Sequence, residues 1–331
     1  MSSIRLPSFV RVSPLILNLV LSVATMSQGD PSLESVRQLV NNGEANAAIR
    51  ALKSDLATTP SSAEAHNLLC RVHYAEERWD AAVPECERAV DLNGNSSVNQ
   101  LWLGRAYGEK AEHSSWLSAI GLAKKTHAAF EKAVALDPQN VEARSDLSEY
   151  YIEAPGFLGG GTDKAAAQAN IVEKLEPATA HWIRARIAEH QNRNADAEQE
   201  YKKALETGHN SARRWFDLAS FYRRANRLDD LESAVQKSAQ LNVKNDSTLV
   251  DSAALLLRVQ RNLPLAANLL RRYIAQGTKS EDAPVFQAQH LLGQILEKSG
   301  NVQAAKQAYL AAQATASDFA PPGAALKRLG A

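Results

Sequence analysis

The chain has 331 residues, 45% hydrophobic and 22% charged, with 37 lysines and arginines balanced by 37 aspartates and glutamates. That balance offers no basic surface for a nucleic acid, and the length suffices for a large core or a long array. With 16 glycines and 12 prolines the composition is that of an ordinary folded protein, neither collagen-like nor low in complexity.

Residues 1–29 stand apart. Arg5 and Arg11 are their only charges, and residues 14–26 form a mostly apolar run interrupted by Asn18. Small side chains at Ser22, Ala24 and Ser27 offer a cleavage site. A positive start, a short apolar middle and a small-residue close predict a secretory signal peptide. The run is short for a membrane span, and no cysteine follows it to carry a lipid. The competing reading is an N-terminal segment packed on the first repeat. The signal reading places the mature chain outside the cytoplasm, periplasmic or secreted. No later segment is long enough to cross a membrane.

From residue 29 a pair of amphipathic helices recurs with a spacing close to 34 residues. The first copy, 29–62, has Gly43 at its turn and Ala48 and Leu52 in its second helix. In 63–96 the apolar positions are Leu69, Trp79, Ala82 and Ala89, and in 97–140 they are Leu103, Tyr107, Phe130 and Ala133. Leu147, Tyr151 and Ala165 mark 141–177, and Trp182, Ala188, Ala197, Tyr201 and Ala204 mark 178–211. Trp215, Leu218, Ala219, Tyr222, Leu231 and Val235 follow in 212–246. The seventh copy, 247–285, is degenerate, with Leu255, Leu270 and Tyr273. The eighth, 286–319, is the clearest. Leu292, Ile295 and Leu296 share one helical face, Gly300 suits a left-handed turn, and Asn301 is placed to cap the next helix. Gly293, Ala305 and Ala312 let the two helices approach, with Tyr309 beside them. Residues 321–331 read as a short helix capping the end. A hairpin of this kind cannot bury its apolar face alone and needs neighbours of its own kind.

Trp215…Leu218-Ala219…Tyr222, Leu103-Gly104…Tyr107, Ala128-Ala129-Phe130…Ala133…Pro138 and Leu292-Gly293…Ala305…Tyr309…Ala312 together resemble the tetratricopeptide repeat family. The resemblance spans roughly residues 29–320. It implies an all-α, right-handed superhelical solenoid of about eight hairpins, acting as a non-catalytic scaffold for protein interactions. A generic helical bundle gives no reason for the 34-residue phase.

Two places depart from that phase. About ten extra residues separate Tyr107 from the helix of Ala128, and Trp116, Leu117, Ile120 and Leu122 among them fit lengthened helices. About five extra residues make a turn of 153–161. Insertions in a solenoid collect on one surface, so Trp116, Phe157 and Leu158 are candidates for a contact rim. Phe157 and Leu158 are expected to dock on Trp116 and Leu117, or else to meet a partner. The glycine-rich stretch 156–164 is not a phosphate loop, because no lysine directly follows the last glycine and no strand precedes it. Thr162 or Asp163 is expected to cap the helix after it.

His66, Cys70 and His73 fall on one helical face at i, i+4 and i+7, with Cys86 on the paired helix. Two cysteines and two histidines suggest zinc, but residues seven apart rise about 10.5 Å, far for one tetrahedral ion. Three readings stay open: a core of small thiols and half-buried imidazoles, a Cys70–Cys86 disulfide, or a metal site. The eight histidines are otherwise dispersed and no nucleophile motif stands out, so neither an enzyme nor a cofactor is expected.

In the family resembled, the first helix of each repeat lines a groove that grips a peptide or helix. Carried over, its positions are Asn67, Arg71, Tyr74, Leu101, Arg105, Trp182, Arg186, Phe216, Arg223, Leu255 and Arg258. The arginine column with interleaved aromatics fits an acidic or C-terminal-carboxylate peptide. The Lys/Asn pattern by which chaperone-binding relatives clamp a terminal carboxylate is not matched. The alternative is a solvated groove whose charges are balanced by Glu149, Glu189 and Glu297. Readings from other classes are a metal- or ligand-dependent envelope protein using His66, Cys70 and Cys86, or a structural spacer.

Overall fold

The computed structural model describes residues 31–241, 247–276 and 279–330. The expected signal segment lies outside the described residues. Among these there are 17 α-helices and one short 3-10 turn. They run α1 (Pro31–Asn42), α2 (Ala45–Thr58), α3 (Ala63–Ala75), α4 (Trp79–Leu92), α5 (Ser97–Glu112) and α6 (Trp116–Leu136). Next come α7 (Val141–Glu153), the 3-10 turn Gly156–Leu158, α8 (Thr162–Val172), α9 (Pro177–His190) and α10 (Asn194–Thr207). The last are α11 (Ala212–Arg224), α12 (Leu228–Leu241), α13 (Thr248–Arg258), α14 (Leu263–Ala275), α15 (Val285–Lys298), α16 (Val302–Thr315) and α17 (Ala320–Arg328). They form eight antiparallel hairpins and a capping helix, an all-α repeat solenoid.

Local chemistry sets the boundaries. Ser62, Ser96, Asn140, Asn262 and Asn301 each accept a hydrogen bond from a backbone N–H three residues on, capping α3, α5, α7, α14 and α16. The turn inside a hairpin uses a left-handed residue, and Gly43, Glu77, Asn192, Asn226, Gln260 and Gly300 all have φ between +53° and +79°. Between helices the core is alanine meeting aromatic or leucine. Ala82, Ala133, Ala165, Ala197, Ala266, Ala305 and Ala312 have no exposed surface, and Tyr201, Tyr273 and Tyr309 are fully buried. Small residues on one helix let the other lie close enough for a ring to fill the gap.

The insertions act on the third and fourth hairpins. α6 is 21 residues long, and its N-terminal Trp116 and Leu117 are each 74% exposed. The second insertion packs against α6 at a different place from the one expected. Phe157 is itself 74% exposed, so it does not dock on Trp116 and Leu117. His127 instead stacks on Tyr150 with centroids 4.9 Å apart, and the Tyr150 hydroxyl donates to the Leu158 carbonyl at 2.8 Å. Trp116 and His127 are 11 residues apart on one helix, about 16 Å along its axis, so a turn held at His127 leaves the tip bare. α8 begins after Gly161 with no side-chain cap, which corrects the expected capping by Thr162 or Asp163.

The first and last hairpins of the described residues meet. Leu33, Val36 and Val40 of α1 and Ala48 and Leu52 of α2 share one core with Phe286, Ala312, Ala316 and Phe319. A Cβ at Gly43 would lie 2.5 Å from the Val285 nitrogen. Asn46 accepts from the Ser317 N–H at 3.0 Å, Arg78 pairs with Asp318 at 2.6 Å, and Gln287 donates to the Ala75 carbonyl at 2.6 Å. The solenoid therefore returns on itself, and its first two hairpins abut the last.

Candidate binding groove

Along the solenoid the first helices of successive hairpins touch one another: α1 with α3, α3 with α5, α7 with α9, α11 with α13 and α13 with α15. That close approach puts them on the inside of the bend, where the groove positions lie.

Arginines of this inner face are tied to carboxylates of the preceding or following hairpin. Arg105 pairs with Asp146 and Glu142, both at 2.7 Å. Burial alone would push its guanidinium down, but the two carboxylates outweigh that and hold it well above its ordinary range. Arg186 reaches Glu149 at 3.1 Å, Glu153 at 2.8 Å and Glu189 at 3.2 Å. Its burial is likewise offset by Glu149, and it stays well above the usual range. Arg224 holds Glu189 through two bonds of 2.8 Å and donates to the Tyr201 hydroxyl in the same cluster at 3.1 Å. Arg71 pairs with Glu281. The ties of Arg105, Arg186 and Arg224 are rungs between neighbouring hairpins, whereas that of Arg71 joins the second hairpin to the segment before α15.

Arg223 and Arg258 differ. Neither makes an ion pair with the described residues. Arg223 is half-buried, and its guanidinium is pushed down by burial and then by the charges of Arg258 and Arg224. A shallow pocket of about 290 Å³ collects Phe216, Ser220, Arg223, Asp251, Leu255 and Arg258. Asp251 there is already bonded to the Ser247 hydroxyl at 2.8 Å. Two guanidinium groups outside any ion pair among the described residues, beside an aromatic ring, are suited to a carboxylate.

Other expected positions fall as follows. Asn67 is 4% exposed, with its Nδ2 buried and unpartnered, Leu101 belongs to the core, and Leu255 is buried in the core while one edge lines the pocket of Arg223 and Arg258. Tyr74 packs edge-on to Trp79 and Trp102 and donates to Glu109 at 3.3 Å, and burial followed by Glu109 holds its phenol up. Trp182 packs between two core clusters. The Phe216 ring lies 5.4 Å below the Arg213 guanidinium. Trp102 was missed by the family register because it stands one position past Leu101. It lies between the expected residues, with Arg71 at 5.0 Å and Arg105 at 4.9 Å from its ring.

Cys70 and Cys86 form a disulfide, with Cα atoms 5.2 Å apart. That bond removes the thiolates a zinc site needs. His66 binds Glu85 at 2.6 Å, and among the described residues no group of histidine, cysteine, aspartate and glutamate is arranged to hold a metal. No helix of the described residues is long and apolar enough to cross a membrane.

A tetratricopeptide repeat family model matches residues 33–97, 159–212 and 252–321. No curated protein matches the chain. Among solved structures the chain is similar to yeast Tom70, with a TM-score of 0.55 and 16% identity over 94% of this chain and 66% of that one. It thus spans about two thirds of Tom70's length. A thermophilic tetratricopeptide repeat protein from Thermus thermophilus gives a TM-score of 0.44 at 24% identity, covering 59% of this chain and all of that one. A repeat protein from Parabacteroides merdae gives 0.46 at 12% identity, covering 80% of this chain and 97% of that one.

Proposed function

The chain belongs to the tetratricopeptide repeat family, and on that premise we propose that it is a non-catalytic scaffold whose inner face binds an acidic segment of another protein. The observation that carries this reading is the contrast among the groove arginines. Arg71, Arg105 and Arg186 are neutralised by the chain's own carboxylates, whereas Arg223 and Arg258 face each other's charge beside Phe216 with no carboxylate paired to them. Holding the half-buried Arg223 beside the like charge of the exposed Arg258 costs free energy that an incoming anion recovers. A carboxylate from a partner's side chain or C-terminus is such an anion.

A second contact is proposed at the insertion rim. Trp116, Leu117 and Phe157 remain largely exposed on a lengthened hairpin, and aromatic side chains of this kind anchor interfaces. The site of action is proposed to be outside the cytoplasm. The charge and hydropathy pattern of residues 1–29 supports this, as does a disulfide, which persists in oxidising compartments.

Fluorescence anisotropy with a labelled glutamate-rich dodecapeptide, free or amidated at its C-terminus, tests the groove. Binding that falls at least tenfold in Arg223→Glu/Arg258→Glu supports the reading, and weaker binding of the amidated peptide assigns the terminal carboxylate to the site. Equal affinity of wild type and variant would overturn it.

A further inference from the structure

The hairpin turns keep a strict phase except where segments are inserted, and a third insertion lies between α14 and α15. The left-handed turn residues Asn192, Asn226 and Gln260 are 34 apart, but Gly300 follows Gln260 by 40. The extra residues carry Glu281 and Asp282 across to the inner face of the second and third hairpins. There Glu281 pairs with Arg71, and Arg71 and Arg105 both lie over the ring of Trp102. A cavity of about 260 Å³ remains at this junction, lined by Arg71, Tyr74, Trp102, Arg105, Asp282 and Phe286. The Arg71 Nε is buried there without a hydrogen-bond partner.

We infer that Glu281 and Asp282 are a ligand built into the chain, an acidic pair occupying the Arg71–Trp102–Arg105 end of the inner face that a partner's acidic segment takes when it displaces their side chains. The inference rests on the reading that the inner face takes acidic segments, and it adds a second subsite together with its regulation. Three observations support it. The segment supplies a carboxylate to a groove arginine, the chemistry expected of the partner. Glu281 meets the inner face through its ion pair with Arg71 and Asp282 is exposed, whereas the buried Ala283 and Pro284, with the apolar seam of Phe286 and Phe319 against α1 and α2, anchor the junction separately. The cavity beside it is incompletely filled, so the subsite has room for more than the tethered segment provides. A tethered ligand acts at high effective concentration, so it lowers the apparent affinity of any untethered competitor without blocking it.

The same labelled peptide, added to the full chain, tests this. Glu281→Gln/Asp282→Asn, measured below its melting transition, is expected to bind it roughly tenfold more tightly than wild type. Adding Arg71→Gln should abolish that gain, whereas a general effect of removing two negative charges would survive it. Unchanged or weaker binding by Glu281→Gln/Asp282→Asn, with Arg223→Glu/Arg258→Glu still reducing affinity, would overturn the tethered-ligand inference and leave the groove reading standing. Absence of binding in wild type and in Glu281→Gln/Asp282→Asn alike would overturn both.

Discussion

Gly293 of α15 and Tyr309 of α16 touch so closely that a Cβ at 293 would lie 2.6 Å from the ring's Cδ1 and 2.8 Å from its Cζ. Gly104 and Phe130 repeat the relationship in the third hairpin, where the corresponding distance is 2.5 Å. A methyl group at 293 must push aside a rigid ring that is fully buried and bonded to Glu297 at 2.9 Å. Overpacking of this kind costs about 1–3 kcal/mol, more than the roughly 1 kcal/mol that alanine gains over glycine in a helix. Gly293→Ala is therefore expected to lower the urea midpoint, and Gly293→Ala/Tyr309→Leu to lose less than the two separate changes together. A stabilised Gly293→Ala would show that the hairpins are not packed this tightly.

Cys70 and Cys86 have no exposed surface, and their bond closes a loop with a sequence separation of 16. In the chain-entropy account such a loop contributes about 3 kcal/mol by restricting the unfolded chain. Reduction under denaturant, or Cys70→Ala/Cys86→Ala, is expected to shift unfolding by about that amount while leaving peptide affinity unchanged, since neither sulfur faces the groove arginines. Two reactive thiols in unreduced, unfolded protein would remove the basis for this expectation.

His290 gives a pH dependence with a definite sign. Burial pushes its imidazole down to about 4, and it sits 5.4 Å from the Tyr309 ring and 5.5 Å from Phe319. The unfolded chain takes up this proton near pH 6.5 and the folded one only near 4. The contribution is complete above about pH 6.5 and is lost as pH falls towards about 4. Glu297, held down by Arg328, adds its own loss as the pH falls below the ordinary carboxylate range. Comparing His290→Gln with wild type isolates the histidine: wild type should lose more stability between about pH 7 and pH 4.5. Parallel curves would mean that His290 titrates normally.

The 34-residue phase was legible because each hairpin repeats the same small-residue and aromatic positions, and stacking speaks only to neighbours. Gly43 and Gly300 announced their turns, and Asn192 and Asn226 are of a type that tolerates the left-handed region, while Glu77 and Gln260 adopt the same backbone with nothing in their type to show it. The state of the arginines was not legible. Arg186 meets Glu149 from 37 positions away, a distance set by the register of adjacent hairpins. Arg71 meets Glu281 from 210 positions away, which depends on the pitch of the whole superhelix. The insertion before α15 is masked in the sequence by the degeneracy of the seventh repeat, and the irregular spacing from Gln260 to Gly300 is the signal available for it.

Trp116 and Phe157 are 74% exposed and support nothing beneath them. Trp116→Ser/Phe157→Ser is expected to change stability by no more than about 0.5 kcal/mol. Loss of a captured partner with an unchanged melting temperature would then assign the rim to binding. A drop of several degrees would instead make these side chains part of the packing.

Arg186 and Arg223 both lie on the inner face, in successive hairpins, yet their substitutions should have opposite consequences. The Arg186 side chain is 13% exposed and ties Glu149 and Glu153 of α7 to α9, while Glu189 beside it stays held by Arg224, so Arg186→Ala loosens the joint between α7 and α9. Removing the buried partner of half-exposed, hydrogen-bonded carboxylates costs roughly 1–2 kcal/mol. Arg223→Ala relieves repulsion from Arg258 and Arg224 and is expected to leave stability unchanged or slightly raised. Binding should follow the reverse order. Arg223→Ala loses affinity for an acidic peptide in a salt-dependent way, while Arg186→Ala, measured below its melting transition, retains most of it. Urea midpoints and anisotropy titrations at two salt concentrations on both variants decide the matter. If Arg186→Ala loses the peptide and keeps its stability, the rungs between hairpins are the binding surface and the Arg223–Arg258 pair is not.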